Sequence, residues 1–376
     1  FDADGICSTA EMHLLLSKLG IQHSLTVPKR LSEGYGLSAA IIDRLSGADV
    51  VLTVDNGITA NEAVAAAKRL GMQVIIMDHH NALGEVPDAD IIVDPEEFPD
   101  GWTFFHYCGA GLVYKLAEYM FPDDKDWLDV MSCFAAIATV GDVVDVTGDN
   151  HNIIQRGLDN INKRRCIPGL KALLDLISEN NNIDPFTVND IAMKVVPMIN
   201  APGRLEDNGG EQTLRCMFTG EKTAKTVAQK IYDINETRKQ LVQTAMDTLS
   251  PKGEHVAFLY DPSLKEGICG IIAGRYSSEL HKPAYVMTKA EDGSIKGSAR
   301  CEDGYNVFQA LSKCTDCLVR FGGHDCAAGF SLDEEDIDKL FDSLEAVTEK
   351  PQNEEVEFYD IDVEPADILP LFCNQN

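Results

Sequence analysis

Four short clusters of acidic and histidine residues lie between residues 2 and 142 of this 376-residue chain. The clusters are Asp2-Ala3-Asp4-Gly5, Asp55-Asn56-Gly57, Asp78-His79-His80 and Gly141-Asp142. Carboxylate oxygens and imidazole nitrogens suit Mn²⁺ and similar divalent ions, whereas structural zinc sites usually include thiolates, which these clusters lack. The clusters therefore predict a metal site, and their number predicts a site for two ions.

Two of these clusters directly follow apolar runs that predict β-strands. Val50–Val54 precedes Asp55, and Val74–Met77 precedes Asp78, with an alanine-rich helical segment from Asn61 to Leu70 between them. Strands that alternate with helices of this length predict a parallel sheet covered on both faces. Because the carboxyl ends of neighbouring parallel strands meet at one crevice, we expect Asp55 and Asp78 to converge there.

Taken singly, most of the clusters are ambiguous. Asp2 and Asp4 alternate by two, so on an extended strand end both carboxylates would face the same side. Asp-x-Asp-Gly and Asp-Asn-Gly also occur in ordinary turns and calcium-type loops. Two adjacent histidines after a buried strand are more specific, since one imidazole can bind metal while the other exchanges a proton with a substrate. The four clusters in combination favour a catalytic metal centre.

The composition predicts a soluble protein with two or three buried cores, since 44% of its 376 residues are hydrophobic. No apolar stretch approaches the ~18 residues of a membrane span and no signal-type leader is present, although the chain begins inside a motif and a preceding segment is expected. Eleven scattered cysteines favour reduced, buried thiols and a cytoplasmic location. Cys314-Thr315-Asp316-Cys317 is expected to be structural rather than a redox pair or half a zinc site.

The net charge of −29 argues against a protein that holds nucleic acid by a diffuse basic surface. Local charge can override that balance. The segment from Cys269 to Gly329 contains as many basic as acidic residues, and bound divalent ions would reverse the sign of an acidic crevice. Nucleic-acid binding through local sites therefore remains open.

The pattern of elements predicts four segments within the α/β fold class. Residues 1–210 form a parallel-sheet metal domain, 211–250 form long connecting helices, and 251–347 form a smaller α/β domain after the break at Pro251-Lys252-Gly253. Residues 348–376 are predicted to be a linker into a further, truncated module. We expect a cleft between the two α/β domains.

The chain also resembles a known family. The four clusters, taken in order, resemble the four motifs of the DHH phosphoesterase superfamily. Three downstream strings, Ile199–Leu205, Lys296–Arg300 and Phe321–Gly329, resemble those of its RecJ-type exonucleases, in which a DHHA1 domain accompanies the DHH metal domain. Ala299 and Pro202 depart from the residues usual at their positions, and we expect both to lie in loops, with Arg204 in the Pro-Gly-Arg loop. The resemblance further implies an acidic or histidine residue before Phe1 and an OB-like barrel after the linker.

The resemblance implies a role for each motif residue. Two Mn²⁺ or Mg²⁺ ions would be held by five ligands, with Asp55 bridging: Asp2, Asp4, Asp55, His79 and Asp142. The catalytic residues would be His80, facing the scissile phosphate, and Asp78. The residues expected to hold the nucleic-acid backbone are Arg204, Ser298, Arg300, Gly322, Gly323 and His324. Paired glycines allow close approach to a phosphate, although Gly322-Gly323 also suits a tight turn, and Arg204 an ordinary surface position.

The implied function is metal-dependent hydrolysis of single-stranded DNA from its 5′ end by a two-metal mechanism, in DNA repair and recombination. The implied partners are single-stranded DNA and a single-strand-binding protein or helicase, with no membrane. Two alternatives stay open: an oligoribonuclease or nucleotide phosphodiesterase acting on nano-RNA or 3′-phosphoadenosine phosphate, and a catalytically silent DNA-binding scaffold. The complete set of carboxylates and histidines argues against the scaffold, because a silent site has no physical need to hold so many like charges together.

Overall fold

The computed structural model describes residues 1–30, 32–34, 36–82, 84–290, 292–302 and 304–348. The chain divides into two compact units. Unit 1 is Phe1–Ser250 together with Ser263–Ile272, and unit 2 is Pro251–Pro262 together with the described residues from Ala273 onwards. Apart from Thr348, the predicted linker and barrel at 348–376 lie outside the described residues.

Unit 1 is mainly helical. Its first helices are α1 (Ala3–Lys18), α2 (Ala39–Arg44) and α3 (Asn61–Arg69). The later helices are α4 (Gly109–Met120), α5 (Lys125–Gly141), α6 (Gly148–Asn162), α7 (Pro168–Asn181), α8 (Val188–Asp190), a π-helical turn (Ile191–Val195), α9 (Val196–Leu205), α10 (Gly209–Met217) and α11 (Glu221–Thr248). Helix α5 is the interior helix, since every residue from Met131 to Thr139 is buried.

A three-stranded parallel sheet positions two of the motifs. Its strands, in spatial order, are β1 (Val50–Val54), β2 (Gln73–Met77) and β3 (Ile91–Val93). The residues just past β1 and β2 continue the ladder, since the N–H of Asp55 donates to Met77 O and the N–H of Asp78 donates to Val93 O, both at 3.0 Å. The predicted parallel sheet is confirmed, and Asp55 and Asp78 lie at the same edge of it.

The N-terminal motif is helical rather than extended. Asp2 is the N-cap of α1, where its Oδ1 accepts the N–H of Gly5 at 3.1 Å. Asp4 lies in the first turn of α1, where the helix dipole stabilises a carboxylate. The prediction that Asp2 and Asp4 alternate along a strand end is therefore wrong, because this capping hydrogen bond starts a helix at Ala3.

Unit 2 contains a five-stranded sheet of order β4-β5-β6-β8-β7, in which β4 and β5 are parallel and the other pairs antiparallel. One face packs on an apolar core that includes Tyr285, Phe330 and Leu340. Its elements are β4 (Ala257–Tyr260), β5 (Ala284–Lys289), β6 (Ile295–Arg300), α13 (Val307–Ser312), β7 (Arg320–His324), β8 (Ala327–Leu332) and α14 (Ile337–Val347). Helix α12 (Glu266–Leu280) begins in unit 1 and continues into unit 2 from Ala273. A second, smaller α/β unit is thus confirmed.

The cysteines agree with the prediction of reduced, buried thiols. Among the described residues none forms a disulfide, and seven of the ten described cysteines are buried. Cys314 and Cys317 both lie in the core of unit 2, as expected for structural residues. No helix in the described part of the chain is long and apolar enough to cross a membrane.

Candidate metal centre

Asp55 and Asp4 meet at the N-terminus of α4. Asp55 has a φ of 59°, a left-handed conformation that aspartate tolerates better than most residues. Asp4 is buried, and its two carboxylate oxygens accept the N–H groups of Gly109 and Ala110 at 2.6 and 2.8 Å. These donors belong to the first turn of α4, whose N–H groups have no partner within the helix. The N-terminus of α4 therefore fixes the position of the Asp4 side chain.

Sequence reasoning missed Gly109, which fits this close approach. A Cβ on Gly109 would lie 2.7 Å from Cβ of Asp55 and 3.1 Å from Oδ2 of Asp4. Any other residue would push α4 away from both carboxylates. The available signal was the run of small residues at Cys108-Gly109-Ala110-Gly111, which lies ahead of an otherwise ordinary helical pattern.

The imidazole of His79 connects the candidate ligands. Its Nε2 lies 3.2 Å from Oδ1 of Asp55, 3.5 Å from Oδ2 of Asp4 and 3.7 Å from Oδ2 of Asp142. Asp142 is the C-cap of α5, so a helix supplies this member of the cluster. The ligand atoms form two overlapping groups, Asp4–His79–Asp142 and Asp55–His79–His80, each within 4.8 Å.

Asp2 lies beside the same cluster. A Cβ on Gly5 would lie 3.4 Å from Oδ1 of Asp2 and 3.0 Å from Oδ2 of Asp55, so both carboxylates face Gly5. Asp55 thus directs one oxygen towards His79 and the other towards the side where Asp2 lies. Four of the five residues predicted as ligands, Asp4, Asp55, His79 and Asp142, thus fall in the two ligand groups, and Asp2 lies beside them.

Burial and mutual repulsion dominate the electrostatics of the cluster. Burial raises the pKa of Asp55 well above its usual range, and the carboxylates of Asp4 and Asp2 raise it further. Burial, followed by the Asp4 carboxylate, raises the pKa of Asp142 to about 7. Carboxylates crowded in this way repel one another, and a bound divalent cation offsets that repulsion.

The donor set fits small divalent ions. Around an ion with ligands at roughly 2.0–2.1 Å, neighbouring ligand atoms at right angles lie about 3 Å apart, close to the shorter spacings measured from His79. The atoms are carboxylate oxygens and imidazole nitrogens, the set that suits Mn²⁺ and, with more oxygen ligands, Mg²⁺. The residues present are therefore able to hold such ions.

Asp78 and His80 form a pair next to the cluster. Oδ1 of Asp78 accepts from Nδ1 of His80 at 2.7 Å, and Oδ2 accepts the N–H of Ile58 at 2.9 Å. Burial opposes ionisation of Asp78, but these hydrogen bonds prevail and its pKa lies below the usual value. The bond to Asp78 raises the pKa of His80, more than burial lowers it. Asp78 is buried and the imidazole of His80 is about half exposed, so the buried carboxylate orients a histidine that faces solvent.

Glu11 is a second residue that sequence reasoning missed. It lies in α1, fully buried, and burial raises its pKa well above the usual value, with the Asp4 carboxylate raising it further. The helical pattern of α1 gave no signal, because a glutamate beside an apolar stripe usually faces solvent. Burial therefore favours the neutral form of Glu11, which lies close enough to Asp4 to be affected by its charge.

The residues predicted to hold a nucleic-acid backbone lie mainly in unit 2. Ser298 of β6 is opposite Gly329 of β8, which is opposite Gly322 of β7. In a second row, two positions away along each strand, Arg300 is opposite Ala327, which is opposite His324. Directly opposed residues share a face, so both rows lie on one side of the sheet, which we name the open face. Alternate residues on the other side, such as Ala299 and Phe330, are buried in the core.

Two expectations about loops are wrong. The Lys296–Arg300 string is strand β6, and Arg204 lies in helix α9, where its Nη1 donates to Gly267 O at 3.3 Å. Gly323 differs from Gly322: its φ is 145°, and a Cβ there would lie 2.3 Å from Ala327 O, whereas nothing lies within 4 Å of a Cβ on Gly322. Gly323 therefore serves the hairpin, and Gly322 leaves space on the open face.

Comparison with known proteins agrees with this architecture. The N-terminal domain of the DHH family matches residues 1–141, and the DHHA1 domain matches residues 253–350. The chain therefore contains a DHH-family N-terminal domain followed by a DHHA1 domain.

Within this family the chain is similar to RecJ. It is 34% identical over 374 residues to the single-stranded-DNA-specific exonuclease RecJ of Salmonella typhimurium, a match that covers 90% of this chain and 63% of that protein. A crystal structure of exonuclease RecJ bound to manganese superposes with a TM-score of 0.77 at 27% identity, covering 92% of this chain and 88% of that one. The crystal structure of RecJ from Thermus thermophilus in complex with Mn²⁺ superposes with a TM-score of 0.82 at 26% identity, and the match covers 99% of this chain and 55% of that one. The chain thus spans less than two thirds of the curated Salmonella relative.

Proposed function

We propose that this chain is the catalytic part of a single-stranded-DNA-specific exonuclease that hydrolyses phosphodiester bonds with two Mn²⁺ or Mg²⁺ ions. The observation that carries the proposal is His79, whose Nε2 lies within 3.7 Å of three carboxylates contributed by α1, the end of β1 and the end of α5. The likeness to RecJ over 90% of the chain supplies the substrate class. The 5′→3′ polarity follows from the same resemblance.

In this proposal Asp2, Asp4, Asp55, His79 and Asp142 hold the ions. Asp55 would contribute to both ions, since its two oxygens face different parts of the cluster. When bound, two such ions lower the pKa of a water molecule and stabilise the leaving oxygen of an in-line displacement. The N–H groups of Gly109 and Ala110 fix the orientation of the Asp4 carboxylate.

His80 supplies the proton chemistry and charge on the substrate side. Its Nδ1 is engaged by Asp78, so Nε2 is the nitrogen that faces a phosphate. The raised pKa of His80 favours the imidazolium, which stabilises negative charge on the phosphate oxygens and can give a proton to the leaving oxygen. Asp78 acts through His80 and is a positioning residue.

The DHHA1 unit holds the strand. Arg300, His324 and Ser298 on the open face offer donors to phosphates, and Gly322 lets the backbone of the strand come close. Such contacts read no bases, as expected for an enzyme that accepts any sequence. Gly323 supports this site by shaping the hairpin between β7 and β8.

The wider setting is part of the same proposal. A nuclease for single strands acts in DNA repair and recombination, in the cytoplasm, on strands exposed by a helicase or held by a single-strand-binding protein. These partners are inferred from the substrate class alone.

The test is digestion of end-labelled substrates by this chain with Mn²⁺. Single-stranded DNA labelled at its 3′ end should shorten from the 5′ end, while the matching duplex stays intact. Asp142→Asn is the inactive control, because it removes one ligand charge without removing bulk. Preferential cleavage of a trinucleotide RNA or of 3′-phosphoadenosine phosphate would contradict the proposal and support a nucleotide phosphodiesterase instead.

A further inference from the structure

A third row of residues lies on the open face. Lys296 of β6 is opposite Ser331 of β8, which is opposite Arg320 of β7. Lys296 precedes Ser298 by two residues, and Arg320 precedes Gly322 by two, so this row shares the face of the Ser298 and Arg300 rows. Arg320 is exposed, and Lys296 and Ser331 are partly exposed. The third row is therefore accessible from solvent.

The open face is basic although the chain is strongly acidic. Its three rows contain Lys296, Arg320, Arg300 and His324, and no acidic residue. Asp292 is an acidic residue near this face: hydrogen bonds from the side chain and N–H of Ser294 lower the pKa of its carboxyl, and the charge of Lys296 lowers it further. In a chain with a net charge of −29, a face of this kind marks a place where an anion binds.

The spacing of the rows suits a linear polyanion. The Lys296–Arg320 row and the Arg300–His324 row are four residues apart along each strand, or about 13 Å at the rise of an antiparallel strand. Between them lies the Ser298–Gly329–Gly322 row, where nothing lies within 4 Å of a Cβ on either glycine. A flexible chain can cross this glycine row while its phosphates contact the cations at both ends.

We propose that Lys296, Arg320 and Ser331 form a second phosphate subsite for the backbone of a single strand, one row beyond the glycines. The inference rests on the proposed function and deepens it, since it gives the DHHA1 unit two separate contacts with the strand. Lys296 and Arg320 neutralise one phosphate from both sides, and the Ser331 hydroxyl donates to it from the central strand. The subsite is occupied only by strands long enough to span both rows.

The experiment is a binding titration in chelator, which prevents cleavage. The probes are fluorescent oligothymidylates, a dinucleotide and one of about ten nucleotides, within the site sizes of single-strand binders. Lys296→Ala and Arg320→Ala should each weaken binding of the longer strand roughly tenfold and flatten its dependence on salt by about one counterion. Binding of the dinucleotide should stay unchanged. Lys313→Ala is the matched control, since this exposed lysine ends α13, which packs on the core face of the same sheet.

The outcomes separate the subsite from the proposed function. If the Lys296→Ala, Arg320→Ala double variant binds the longer strand as tightly as the wild type, while the wild type still cleaves single strands, the subsite is refuted and the function stands. Equal losses for the dinucleotide and the longer strand would also refute a separate subsite. A wild type that neither binds nor cleaves single strands would refute the proposed function itself. Unchanged thermal unfolding of both variants excludes misfolding as the cause of lost binding.

Discussion

Nδ1 of His80 lies 2.7 Å from Oδ1 of Asp78, and this contact decides which nitrogen of the histidine faces outwards. Asp78 is buried at the end of β2 and also accepts the backbone N–H groups of Ile58 and His79. A carboxylate fixed by several donors holds its partner in a single orientation. His80 is thus presented to the substrate side by the sheet beneath it.

Asp78→Asn should lower kcat about 10- to 100-fold, the usual effect of losing a group that orients a reacting one. The bond to Asp78 raises the pKa of His80, so the variant should also lose its protonated His80 at a lower pH. Its alkaline limb of activity should therefore move to lower pH. In a His80→Ala background, Asp78→Asn should lower kcat little further. A full additional loss in that background would show that Asp78 acts independently of His80.

Asp55→Asn should reduce hydrolysis by at least about 100-fold, because it removes the charge of a metal ligand. Mutating a residue that only contacts a ligand already lowers activity or metal affinity about 10- to 100-fold. Asparagine also tolerates the left-handed conformation at this position, so the fold should be kept. In chelator the variant should melt at a higher temperature than the wild type, since one of several repelling carboxylates is gone. Calorimetry with Mn²⁺ and thermal unfolding measure both effects. Asp43→Asn, on the exposed side of α2, should change neither.

Glu11→Gln should change how stability depends on pH. The pKa of Glu11 is raised in the folded chain, so the folded state keeps a proton that the unfolded state releases above about pH 4.5. Stability contributed by the neutral acid is fully present below that pH and is lost as pH rises towards the folded pKa. Relative to Glu11→Gln, the wild type should lose about 1.4 kcal/mol of unfolding free energy per pH unit in this range. Denaturant unfolding in chelator at several pH values measures this difference. Parallel pH profiles would mean that Glu11 is ionised in the fold.

Val143→Gly should stabilise the protein. Val143 follows Asp142 with a φ of 60° and is 87% exposed, so a β-branched residue occupies a left-handed conformation without burying its side chain. That conformation costs roughly 1–2 kcal/mol, more than the roughly 0.5–1 kcal/mol by which glycine's flexibility disfavours folding. The expected gain is up to about 1 kcal/mol in denaturant unfolding. Val146→Gly is the control, since Val146 is exposed but has no positive φ, and it should lose stability.

The order and type of the ligand residues were available from the sequence. The strands before Asp55 and Asp78 were recognisable as apolar runs, and parallel strands bring their carboxyl ends to one edge for geometric reasons. The RecJ-type resemblance could also be recognised from the sequence, because its motifs are short and local. Local hydrogen bonding was harder to predict: Asp2 caps a helix instead of ending a strand, and Arg204 lies in α9 instead of a loop.

The tertiary structure alone decided which distant residues meet. Gly109 reaches the Asp4 and Asp55 carboxylates because the N-terminus of α4 packs beside the ends of the strands, and no periodicity along the chain encodes that contact. The basic open face depends on the order β6-β8-β7, which places Arg320 and Lys296 on opposite sides of Ser331 although 24 positions separate them in sequence (320 minus 296). Sequence patterns record which face of each strand is buried, but pairing between strands is set by the packing of the whole unit.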